Sequence, residues 1–100
     1  MKLADLARVV RSKNAGALTL TLDVMFNHEH EYDQVVTSGA LNPQKIAELY
    51  GVDANDVDII NYPVANAIKI TFPRLIPSGH PGDGDVYGAQ QHAPLLQIDI

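Results

Sequence analysis

One hundred residues suit one compact domain, and 46% apolar with 19% charged residues is ordinary for a folded soluble chain. The net charge of −5, from twelve acids against seven bases, argues against nucleic acid or an anionic membrane as partner. The absence of cysteine excludes disulfides, thiolate metal sites and thiol nucleophiles, and fits a reducing cytoplasm.

The N-terminal residues carry acid and arginine among their apolar side chains, unlike a signal peptide. No apolar run approaches the ~20 residues of a membrane span. Over residues 3–11, Leu3, Leu6, Ala7 and Val10 recur at helical spacing, which predicts a short helix, although Val9 and Val10 also suit a strand. The stretch RSKNAG (residues 11–16) breaks that pattern, and Asn14 and Gly16 tolerate positive φ, so a tight loop is expected there.

Residues 17–26 alternate, with Leu18, Leu20, Leu22, Val24 and Phe26 on one side, and predict a half-buried strand. Asn27 is the expected N-cap of a helix with Glu29 and Glu31 in its first turn, Tyr32, Val35 and Val36 inward and Gly39 as its stop. A second helix is predicted with Asn42 as cap, Pro43 at its first position, Ile46, Leu49 and Tyr50 inward and Gly51 at its end. Residues 57–62 and 68–72 read as strands joined by PVAN into a hairpin. Pro73, Pro77 and Pro81 interrupt regular structure until about Asp85. DVYGAQQHA suits one or two helical turns, and LQIDI at the C-terminus alternates as a last strand.

This order predicts one α+β domain over residues 1–100. Its plan is a ferredoxin-like βαββαβ sandwich with an additional N-terminal segment and a largely irregular second crossover. An irregular α+β sandwich is the competing picture. The face carrying Leu20, Ile70 and Ile98 is expected under the helices. The face with Thr19, Thr21, Lys69 and Thr71 is expected to be wet or covered by another chain.

Two polar stretches could carry chemistry. In RSKNAG, turn amides can form a concave anion site, with Arg11 as a two-pronged clamp and Lys13 as a point charge; a solvated turn is the plainer alternative. In the loop of residues 79–94, His80 and His92 flank Asp83, Asp85, Gln90 and Gln91, a set suited to proton transfer or to an interaction loop. That spacing matches no zinc or calcium pattern, and no nucleophile elbow is present. His28 and His30 fall at a helix start, where their rings should diverge and stay wet. No metal or cofactor is expected, and neither Tyr62 nor Tyr87 is given a catalytic role.

RSKNAG followed by a strand, IKITFPR and the late PSGHPGDGDVYGAQQHAPLL together resemble a small uncharacterised bacterial family found with acyclic terpene utilisation (AtuA-type) proteins. The resemblance runs from near Leu3 to Ile100. It implies a companion to a larger AtuA-type protein. In some relatives that protein carries a ferredoxin-like domain with an RSGDKG-like turn preceded by a strand, which would make residues 3–9 an added strand. It also implies hydration or lyase chemistry on acyl-CoA esters or small organic acids. On this reading the chain is a small cytoplasmic accessory subunit. Arg11, Ser12, Lys13 and Asn14 would face Gln90, Gln91 and His92 across one rim, because the first and last ferredoxin-like strands are neighbours. Arg11 and Lys13 would take a carboxylate or CoA phosphate, and His92 would serve proton transfer in a site completed by the partner. The alternative is a non-catalytic, homo-oligomeric binding module.

Overall fold

Leu20, Leu22 and Val24 alternate with Thr19, Thr21, Asp23 and Met25, and successive side chains of an extended chain leave on opposite faces. A computed structural model describes residues 1–16, 18–73 and 93–100, and in it these residues form the central strand β2 (Thr19–Met25). It pairs antiparallel with β1 (Val9–Asn14) on one side and β4 (Ala67–Pro73) on the other. Strand β3 (Asp58–Tyr62) closes the far edge against β4, so the order is β1-β2-β4-β3. The fold is α+β, with a four-stranded antiparallel open sheet.

One face of the sheet builds the core. The register sets Leu22 opposite Ile70, Leu20 opposite Phe72 and Val24 opposite Ile68, and all six side chains are buried. Tyr32 and Val35 of α2 (Glu29–Ser38) and Ile46 of α3 (Pro43–Tyr50) join the same cluster. The two rings Phe26 and Tyr32 meet edge to face at 6.3 Å, and Tyr50 leans on Phe72 at 4.8 Å.

Helix ends follow local chemistry. Asn42 Oδ1 accepts the Lys45 backbone N–H at 2.8 Å, Pro43 occupies the first turn, and Gly51 leaves the helix at φ 69°. Asn42→Ala should therefore cost about 1 kcal/mol in a guanidinium melt, the usual worth of such a cap. At α2 the cap is His28 rather than Asn27, because Glu31 reaches back to accept the His28 N–H at 3.2 Å. Pro63 ends β3, and the β3–β4 connection turns through Asn66 at φ 49°.

Three expectations are corrected. The predicted helix over residues 3–11 is only α1 (Leu3–Leu6), and the chain is already extended at Val9. Most of RSKNAG is strand: Arg11, Ser12, Lys13 and Asn14 pair with Asp23, Leu22, Thr21 and Leu20. The turn falls later, at Ala15 and Gly16, where the Ala15 N–H donates to the Thr19 carbonyl at 2.9 Å and Gly16 takes φ 110°. The C-terminal LQIDI is not a strand of the sheet. Helix α4 (Ala93–Leu96) precedes a single bridge between Lys2 and Asp99. There the Leu3 N–H donates to the Ile98 carbonyl and the Ile100 N–H to the Met1 carbonyl. The physical reason is that β1 already occupies the edge of β2 which a final strand would need. Leu95 and Ile98 are instead buried in the cluster that holds Leu3 and Leu6. The expected short helix and irregular crossover within residues 74–92 lie outside the described residues.

Candidate functional site

The sheet register lays out the face turned away from the helices as a grid. Arg11, Asp23, Lys69 and Ile60 form one row across the four strands. Val9, Met25, Ala67 and Tyr62 form the row on one side of it; Lys13, Thr21, Thr71 and Asp58 form the row on the other, where Thr21 is buried and Lys13 and Asp58 are exposed. Directly opposed side chains on an antiparallel sheet sit about 4.5–5.5 Å apart at Cβ, so each row is a line of neighbouring groups.

In the first row Asp23 stands between two cations. Arg11 Nε donates to Asp23 Oδ2 at 3.4 Å, a long contact with the guanidinium more than half exposed. An ion pair of that geometry adds little stability, and leaves most of the guanidinium's donors facing solvent. A shallow cleft of about 190 Å3 opens beside the pair, lined by Arg11, Asp23, Met25, Tyr62 and Lys69. Among the described residues the face holds Arg11, Lys13 and Lys69 against the two carboxylates Asp23 and Asp58. Residues 27–56, which carry α2 and α3, hold six acids against Lys45 alone. An acidic chain thus turns a weakly basic face away from its helices, which favours a carboxylate or phosphate there over a cation.

The expected anion clamp is divided by the pleat. Arg11 and Lys13 lie on the open face, whereas Ser12 and Asn14 lie on the helix face, where Ser12 is buried opposite Leu22. Gln90, Gln91 and His92 lie outside the described residues, as do His80, Asp83, Asp85 and Tyr87. Their expected closeness to Lys13 rested on a C-terminal strand beside β2, and β1 holds that place. Asp23, Lys69 and Tyr62 were not among the residues expected to form a site. Their signal was present as outward positions on alternating strands, yet only the register of β1 on β2 joins Asp23 to Arg11.

His28 and His30 do not diverge. The extended backbone of His28 (φ −128°, ψ 147°) lets the two rings stack at 5.4 Å, 8° from parallel. They remain exposed, and among the described residues no group of three or more His, Cys, Asp or Glu is placed to hold a metal ion. A second groove, about 320 Å3, runs between α3 and the C-terminal segment, with Asn42, Lys45, Gln97 and Asp99 on its walls. The hydrogen bond from Lys2 Nζ, at 2.9 Å, holds the Asp99 carboxyl below its ordinary range. No helix among the described residues is long and apolar enough to cross a membrane.

A family described as Domain of unknown function (DUF4387) matches residues 3–99. The chain belongs to that family. No curated protein and no solved structure matches it significantly. The DUF4387 match takes in strands β1 to β4 and the residues named above on the walls of the two grooves.

Proposed function

We propose that this DUF4387 chain is a small accessory subunit of an AtuA-type hydratase- or lyase-like enzyme in the cytoplasm. The assembly would act on acyl-CoA esters or small organic acids. The observation that carries the reading is the weakly basic open face of an otherwise acidic chain, with Arg11 and Lys69 flanking one carboxylate beside a cleft. In this role Arg11, Lys13 and Lys69 attract the carboxylate or CoA phosphate. A ligand anion takes over the exposed guanidinium donors that Asp23 leaves free. Ser12 and Asn14 brace β1 from the other side of the sheet. His92, with Gln90 and Gln91, is assigned to proton transfer and polar contacts in a site that the large subunit completes. The strand order supports kinship with the ferredoxin-like plan, with β1 standing where the final strand of that plan would run.

Co-expression with the AtuA-type protein tests this. The pair should co-purify, and hydration or lyase activity on a CoA ester should require both chains. Arg11→Glu combined with Lys69→Glu should lower kcat/KM about tenfold or more, the worth of one or two charge-assisted hydrogen bonds. Full activity of the large chain alone rejects the subunit role.

A further inference from the structure

The two edges of the sheet are not alike. Edge β1 presents Arg11 and Lys13, and charged side chains are a standard guard against strand-to-strand association. Edge β3 presents Ile60 and Tyr62, each 45% exposed, and continues into a fully exposed Val64. Asp58 is the single charge on that five-residue strand. Among the described residues, β3 has one sheet neighbour, β4.

We infer that β3 pairs antiparallel with β3 of a second copy of this chain, around a two-fold axis through Ile60. The register follows from symmetry. A two-fold perpendicular to the sheet keeps each face on its own side, so the axis must pass through a residue rather than between two. Centring it on Ile60 pairs all five residues from Asp58 to Tyr62. Centring it on Asn61 drives Pro63, which has no N–H, into the ladder. Centring it on Ile59 leaves Asn61 and Tyr62 opposite residues that precede the strand.

With the axis at Ile60 the chemistry is self-complementary. Ile60 meets the partner's Ile60, and Tyr62 meets the partner's Asp58, whose carboxylate can accept the phenol O–H. The two Asp58 carboxylates end up about 14 Å apart at ~3.4 Å per residue, so no like charges oppose one another. The same operation at β1 fails wherever it pairs most of the strand, and an axis through Val10 joins only Val9, Val10 and Arg11. An axis through Ser12 sets Arg11 against the partner's Lys13, and one through Arg11 sets two guanidinium groups face to face. The product is a continuous eight-stranded antiparallel sheet whose two open faces join, with a cleft on either side of the axis. A five-residue strand pair buries little area, so the dimer is a reversible one that forms at micromolar to high-micromolar concentration.

The isolated chain suffices for the test, so failure here leaves the accessory-subunit reading standing. Sedimentation equilibrium up to about 300 µM should show a dimer. Ile60→Lys should shift it to monomer, and mixing Ile60→Lys with Ile60→Glu should restore a 1:1 dimer. Circular dichroism checks that each variant is folded. The chain has no cysteine, so Ile60→Cys introduces its sole thiol. Opposed residues in an antiparallel pair lie ~4.5–5.5 Å apart at Cα, within disulfide reach. Ile60→Cys should therefore cross-link on mild oxidation. Asn61→Cys and Tyr62→Cys should not, because each lies opposite a different residue of the partner. A wild-type chain that stays monomeric, or cross-linking at Asn61→Cys in preference to Ile60→Cys, overturns the inference.

Discussion

Replacing Ile70 by alanine should lower the unfolding free energy by about 2–5 kcal/mol, the usual range for emptying a fully buried aliphatic site. Ile70 has no exposed surface and lies opposite both Leu22 and Ile59 in the register, so no neighbour can relax into the void without breaking the ladder. A domain of this size is stable by only about 5–15 kcal/mol, so the variant should unfold at a much lower guanidinium midpoint with the same slope. The informative control is one strand away. Ile60 has the same chemistry on the other face and is 45% exposed; in dilute solution Ile60→Ala should cost well under 1 kcal/mol. Equal losses at the two positions would mean that the open face is itself a core.

Stability should fall as pH rises above 10. Burial raises the phenols of both Tyr32 and Tyr50 above their ordinary value of 10.0, with Asp33 adding to the shift at Tyr32 and a hydrogen bond with the Leu95 backbone partly opposing it at Tyr50. Below pH 10 both phenols are protonated whether the chain is folded or not, and their packing contributes fully. Above it the unfolded chain ionises first, and stability declines with rising pH until each phenol ionises in place, by less than the ~1.4 kcal/mol per pH unit of a fully buried group because Tyr50 is only partly buried. Guanidinium midpoints at pH 9, 10 and 11 should decline more in the wild type than in a Tyr32→Phe, Tyr50→Phe double variant. Parallel curves for the two proteins would show that the phenols are wet in the fold.

What could be read from the sequence was what local chemistry decides. Asn42, Pro43 and Gly51 bracket α3 by capping alone, and the alternation through Leu20, Leu22 and Val24 dictates β2. The β3–β4 hairpin is announced by Pro63 and Asn66 between two β-branched runs. Strand β1 was half legible: Val9 and Val10 suit a strand, but Lys13 and Asn14 have weak strand preference, and what holds residues 11–14 extended is the neighbouring β2 ladder. At the other end, the alternation of Ile98 and Ile100 with Gln97 and Asp99 has the period of a strand. Yet a period of two is equally met by a short bridge to Lys2 when the sheet edge is already taken. The candidate site was half legible for the same reason. Arg11 and Lys13 announce themselves as anion-seeking cations, but which carboxylate sits beside Arg11, and which of their neighbours face away, is fixed only by pairing across strands.

Among the described residues every ladder of the sheet lies within residues 9–73, while residues 93–100 add Leu95 and Ile98 to one flank and tie down the first residues of the chain. The tail is thus a shutter rather than a beam. Peeling it back bares Leu3 and Leu6 to water and leaves all three strand pairings intact, so damage at the C-terminus is a local wound that the sheet survives.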